Sequence, residues 1–239
     1  LMLSPQSAVR LQAAQRIATA DFGDGDGEAR YATWLRKELV GQTQVMQKLI
    51  HAIWGQYPNP DYPRGPGKDP PMWMIRPEPP IPPGTAKKQK PKPHDPEAVD
   101  WLLVLSQLDP AQEPILQSFP VEEVNKTRAE LLLKVALLRA LSQAGQRGSR
   151  EAVHPVFEQA FVRDGVLRDE CGRMIRAMGS PAIPGLVRIY NNRSRANYKM
   201  RRYASYQLDR MDRLRPSKAI VSASDDLVRA DIIHAYGEV

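Results

Sequence analysis

Six side chains in the last quarter of the chain share a spacing that suits chemistry. Arg195, Lys199, Arg202, Tyr206, Arg210 and Arg213 follow one another at intervals of three or four residues, which places them on one face of a helix. Five cations with one interleaved tyrosine make a surface for anions. Arginine offers paired donors to a carboxylate or phosphate, and tyrosine adds a flat amphipathic contact. Met200, Ala204, Gln207, Leu208 and Met211 fall on the opposite face, so packing that face turns the cations outward. The same stretch concentrates the charge. Residues 193–218 hold nine Lys or Arg against two Asp, a surplus of +7 that equals the formal net charge of the whole chain. The expected ligand is an acidic protein or peptide. The alternative is a nucleic acid bound by the same basic helix, read as residues 195–214.

The other reactive residue types do not converge. Asp21, Asp24, Asp26 and Glu28 invite calcium, but placing Asp26-Gly27 at the turn of a calcium loop puts Phe22 first and Thr33 last. Neither is a carboxylate, so the stretch reads as a solvated turn. His51, His94, His154 and His234 sit singly, without metal-ligand spacing. Cys171 is the one cysteine of the chain, which excludes an internal disulfide and a multi-cysteine metal site. It falls in a small-residue slot of a helix, where a thiol is an inert packing group. The phosphate-binding, dinucleotide, serine-hydrolase and zinc-protease motifs are all missing. No catalytic residue, cofactor or metal is therefore expected, and the chain reads as a binding protein and not as an enzyme.

These residues need elements to position them. A chain of 239 residues with 42% hydrophobic and 26% charged residues can bury a core without staples. It has no apolar stretch long enough for a transmembrane helix. It opens Leu1-Met2-Leu3-Ser4 without the features of a signal peptide. It reads as a piece of a longer protein, which leaves compartment and oligomeric state open. Helical periodicity predicts helices over roughly 4–20, 28–39, 43–56, 96–108, 125–144, 150–162, 166–178, 181–191, 195–214, 217–222 and 225–236. Ser4-Pro5 and Asp95-Pro96 read as helix starts, and Gly145 as the stop of the longest helix. Fourteen of the 22 prolines fall within residues 57–96, which predicts an irregular, partly polyproline insertion between helices. Three units follow: helical repeats over 1–56, the insertion over 57–96, and further helical repeats over 97–239.

An internal pattern recurs. Leu167-Arg168, Cys171 and Met174-Ile175 are matched by Met200-Arg201, Ala204 and Gln207-Leu208, and by Val228-Arg229, Ile232 and Ala235-Tyr236. Val9-Arg10, Ala13 and Arg16-Ile17 match as well. A shorter apolar helix precedes each of the first two, at Ala152–Phe157 and Ala182–Val187. The pattern describes an A helix followed by a B helix whose small residues allow close approach. No such pair buries its face alone, so pairs stack. Over residues 149–239 this resembles the HEAT-repeat family, in particular the short bacterial HEAT-like repeats related to phycocyanobilin-lyase repeats. The resemblance implies an all-α, armadillo-like solenoid of stacked antiparallel pairs whose B helices line a concave binding surface. It implies a scaffold for protein–protein interaction and brings no shared catalytic residues.

Overall fold

The computed structural model describes residues 1–21, 25–37, 40–41, 43–56, 100–192, 198–223 and 225–237. The proline-rich insertion and the helix start at Asp95-Pro96 lie outside the described residues. The described residues form eleven α-helices and no strand. They are α1 (Ser7–Ala18), α2 (Gly25–Arg36), α3 (Thr43–Gln56), α4 (Trp101–Gln107), α5 (Val121–Gln146), α6 (Val153–Gln159), α7 (Arg168–Met178), α8 (Ile183–Asn191), α9 (Tyr198–Arg210), α10 (Pro216–Ser222) and α11 (Asp226–Gly237). None of them is long and apolar enough to cross a membrane.

The longest helix, α5, organises the first half. Its Leu131, Leu132, Val135, Leu138 and Leu141 are fully buried, and α1, α2, α3, α4, α6 and α7 all pack on it. In the second half α6 packs on α7, α8 on α9 and α11, and α10 on α11. The small slots of the recurring pattern are the buried ones: Cys171, Ala204 and Ile232 are completely enclosed and Ala13 nearly so. Side chains larger than these have no room. Ala204→Phe is expected to cost about 1–3 kcal/mol by overpacking and to lower the melting temperature by roughly 2–4 °C per kcal/mol. An unchanged melting curve would show that the helix tolerates bulk there.

Contacts between α5, α7 and α9 fix their direction. Arg139 meets Glu170, and the Ser142 hydroxyl donates to the Met174 carbonyl at 2.9 Å. A side chain at Gly145 would strike Met178. Between the next two helices, the Tyr203 hydroxyl donates to the Arg168 carbonyl at 2.9 Å and Arg176 donates to Gln207 at 2.7 Å. Partners advance together along both chains, so the three helices run parallel, α7 in the middle. Gly172 sits at the α7–α9 contact, where a Cβ would lie 2.8 Å from Gln207 Nε2 and 3.1 Å from the Tyr203 hydroxyl.

The arginine of the recurring pattern has a consistent task. Arg168 Nε donates to the carbonyl of Ala160, the C-cap of α6, at 3.1 Å. Arg201 Nε donates to Tyr190, in the last turn of α8, at 3.0 Å. Arg229 Nη2 donates to Ala223, the C-cap of α10, at 2.8 Å. Arg10 does the same for α4, through the Ser106 carbonyl at 2.9 Å. In each case a cation satisfies carbonyls at the negative end of a shorter helix. Two further buried cations from α5 repeat this arrangement. Arg128 donates to Leu108 at the end of α4 at 2.6 Å, and Lys134 Nζ to Leu35 and Lys37 at the end of α2. Burial pulls the Lys134 ammonium down to about 8.

Some sequence-derived boundaries need correction. Ser4 is not the cap of α1: its hydroxyl accepts from Gln6 N, and the helix starts at Ser7. Described α4 is capped by Asp100, whose carboxylate accepts from Leu102 N at 3.1 Å and Leu103 N at 3.5 Å. Gly145 does not end α5. The stop is Gly148 at φ 100°, with Ser149 N donating back to Ala144 O, the left-handed closure that glycine favours.

Candidate binding surface

Helix α9 carries the basic stripe. Tyr203, Ala204, Gln207 and Leu208 are buried, with Met200 and Met211 packed partly beneath. Lys199, Arg202 and Arg210 are exposed on the opposite side, and Tyr206 is 38% exposed between them. The helix positions them because its apolar face has one place to go, against α8 and α7. Arg202 is held in place locally: its guanidinium lies 5.8 Å from the Tyr198 ring centroid and donates to the Tyr198 hydroxyl at 3.2 Å.

That leaves Arg195 and Arg213 of the predicted six. Arg195 lies outside the described residues. Arg213 lies past the end of α9, which stops at Arg210. Asp212 takes φ 55°, Arg213 N donates back to Leu208 O at 2.7 Å, and Asp212 pairs with Lys218 at 2.6 Å. That left-handed residue swings the chain off the helical rhythm. Arg213 then donates to the Asp212 carbonyl, and its own carbonyl accepts from the Tyr236 hydroxyl. An aspartate in place of glycine gave no obvious stop signal in the sequence.

Helix α7 supplies residues the sequence did not single out. Glu170 has a fully buried side chain, yet it accepts from Arg139 Nε at 3.0 Å and also from Arg173 Nη2. Arg139 reaches on to Asp100 at 2.8 Å, so four charged groups join α4, α5 and α7. Burial works against the Arg139 cation, but Glu170 and Asp100 outweigh it and hold its pKa raised. Asp169, Arg173 and Ala177 recur every four residues on the side of α7 turned away from buried Cys171 and Ile175. Burial pushes the Cys171 thiol and the Tyr203 phenol well up. A thiol held protonated in this way is a packing group and not a nucleophile.

Of the remaining candidates, Asp24 and His94 lie outside the described residues, while Asp21, Glu28 and His154 serve local structure. Asp21 lies 3.7 Å from Arg147, and Glu28 accepts from the Ser149 hydroxyl, so these acids hold the start of α2 near the end of α5. His154 pairs with Glu158 one turn on, at 2.9 Å. Among the described residues no group of three or more His, Cys, Asp or Glu is placed to hold a metal ion. An open depression of about 540 Å³ on α2 is lined by Asp26, Ala29, Arg30, Thr33 and Trp34, with Trp34 stacked on Tyr31 at 5.4 Å. Comparison with family models, curated proteins and solved structures finds no match to this chain.

Proposed function

We propose that this chain is a non-catalytic binding scaffold, an α-solenoid of HEAT-like helix pairs, that takes an acidic protein or peptide on the outer face of α9. The stacking is supported by the parallel run of α5, α7 and α9 and by the arginine that closes the preceding helix in three of the four pattern units. The observation that carries the function is the stripe itself. Lys199, Arg202, Tyr206 and Arg210 face outward along one helix whose other face is buried. Such a field raises encounter rates with acidic partners, and arginine then grips carboxylates in pairs.

The test is an anisotropy titration with a labelled glutamate-rich peptide, beside a labelled DNA duplex. Lys199→Glu combined with Arg202→Glu is expected to weaken the peptide by about tenfold or more, since it reverses two charges in the contact. Exposed substitutions of this kind usually move stability by less than about 0.5 kcal/mol, so the melting curve is expected to hold. Equal affinity for wild type and variant would refute the assignment. Preferential capture of the duplex, with a steep salt slope, would transfer the stripe to nucleic acid.

A further inference from the structure

We infer that the ligand seat is the groove between α7 and α9, and that its occupant is an extended acidic segment with two acids four residues apart and an apolar residue midway. This rests on the reading of α9 as an anion-binding face and extends it across the neighbouring helix. The contacts Arg168 to Tyr203, Gly172 to both Tyr203 and Gln207, and Arg176 to Gln207 set the register of the two helices. In that register Arg173 stands level with Tyr206, Arg176 stands towards Arg210, and Asp169 stands level with Arg202.

Both rims of the groove therefore carry cations that the protein holds in place. Arg173 is anchored on buried Glu170, Arg176 on the amide oxygen of buried Gln207, and Arg202 on Tyr198. A guanidinium already fixed loses less freedom when a carboxylate arrives. Asp169 is the acid on the α7 rim, which places that rim's positive end at Arg173 and Arg176. Beneath the rims, Gly172, Gln207 and Tyr203 close the helix contact and are buried, so a ligand meets the polar rim side chains above them. An amphipathic helix would find no apolar floor to bury its stripe on, whereas an extended segment can be held by charge and backbone donors.

The dimensions select the spacing. Arg202 and Arg210 are eight residues apart on one helix, roughly 12 Å at 1.5 Å per residue. An extended chain covers about 13 Å in four residues and turns alternate side chains to the same side. Acids at the first and fifth positions then meet the two ends of the groove, and the third residue lies on Tyr206.

Two labelled peptides of identical composition test this, one with two glutamates flanking a serine-leucine-serine centre and one with the glutamates adjacent. Wild type is expected to favour the spaced peptide by about threefold or more. Ala177→Glu places a negative charge on the exposed rim of α7, one turn beyond Arg173 and within its reach. It is expected to weaken the spaced peptide about fivefold and to leave the melting temperature unchanged. Arg176→Gln serves as the second variant, with its melting curve measured alongside, and is expected to weaken the spaced peptide to a similar degree. If the α9 double variant loses both peptides while the α7 variants bind as wild type and spacing has no effect, the groove is overturned and the α9 reading stands. If the α9 double variant binds both peptides as wild type does, the underlying reading has failed.

Discussion

Glu170→Ala is expected to destabilise the protein more than any surface change, by about 3 kcal/mol or more. The carboxylate is fully buried and is shared by Arg139 and Arg173, whose side chains are 20% and 22% exposed. Removing one partner of a buried ion pair leaves charge without compensation, which typically costs about 3–5 kcal/mol. The residual exposure of both arginines favours the lower end, because water can reach them. Arg139 would keep Asp100 as a partner, whereas Arg173 would lose the anchor that fixes it on the α7 rim. Thermal unfolding should show a loss of roughly 2–4 °C per kcal/mol. A melting temperature within a degree of wild type would mean that the cluster rearranges freely.

Arg168→Ala is expected to cost about 2–3 kcal/mol. Arg168 is buried, donates to the Ala160 carbonyl at the end of α6, and lies 5.8 Å from the centroid of the Phe161 ring. Losing it leaves a buried helix-terminal acceptor without its partner, a penalty of about 1–3 kcal/mol, and leaves a gap where the side chain packed. Arg201→Ala makes the same deletion at α8, where the bond is exposed, and is expected to cost under about 1 kcal/mol. Equal effects at both positions, measured by denaturant unfolding, would contradict the explanation by burial.

These residues also show what the sequence could and could not reveal. Helices were legible because each has one apolar stripe, and Leu131, Leu132, Val135, Leu138 and Leu141 repeat it on α5 without interruption. The small slots were legible because Cys171 and Ala204 recur in register. The purpose of the pattern arginine was not legible, since its partner is a backbone carbonyl on another helix and every sequence offers carbonyls. Glu170 looked like one more surface acid on a charged helix, because nothing local marks a carboxylate that two arginines will enclose. Arg213 was misplaced because a non-glycine residue, Asp212, takes the left-handed turn that ends α9. One signal for the α7–α9 contact was present: Gly172, a glycine within a helix directly after the small slot.

The central claim is that the exposed stripe on α9 meets its partner through charge, and salt tests it most directly. The dissociation constant of the glutamate-rich peptide would be followed from about 50 to 300 mM salt, where screening shortens from ~14 to ~6 Å, for wild type and for Lys199→Glu with Arg202→Glu. The expected result is a steep weakening with salt for wild type and a much flatter line for the variant, the two converging at high salt. Parallel lines of equal affinity would contradict the claim and leave the stripe as a solvated helix face.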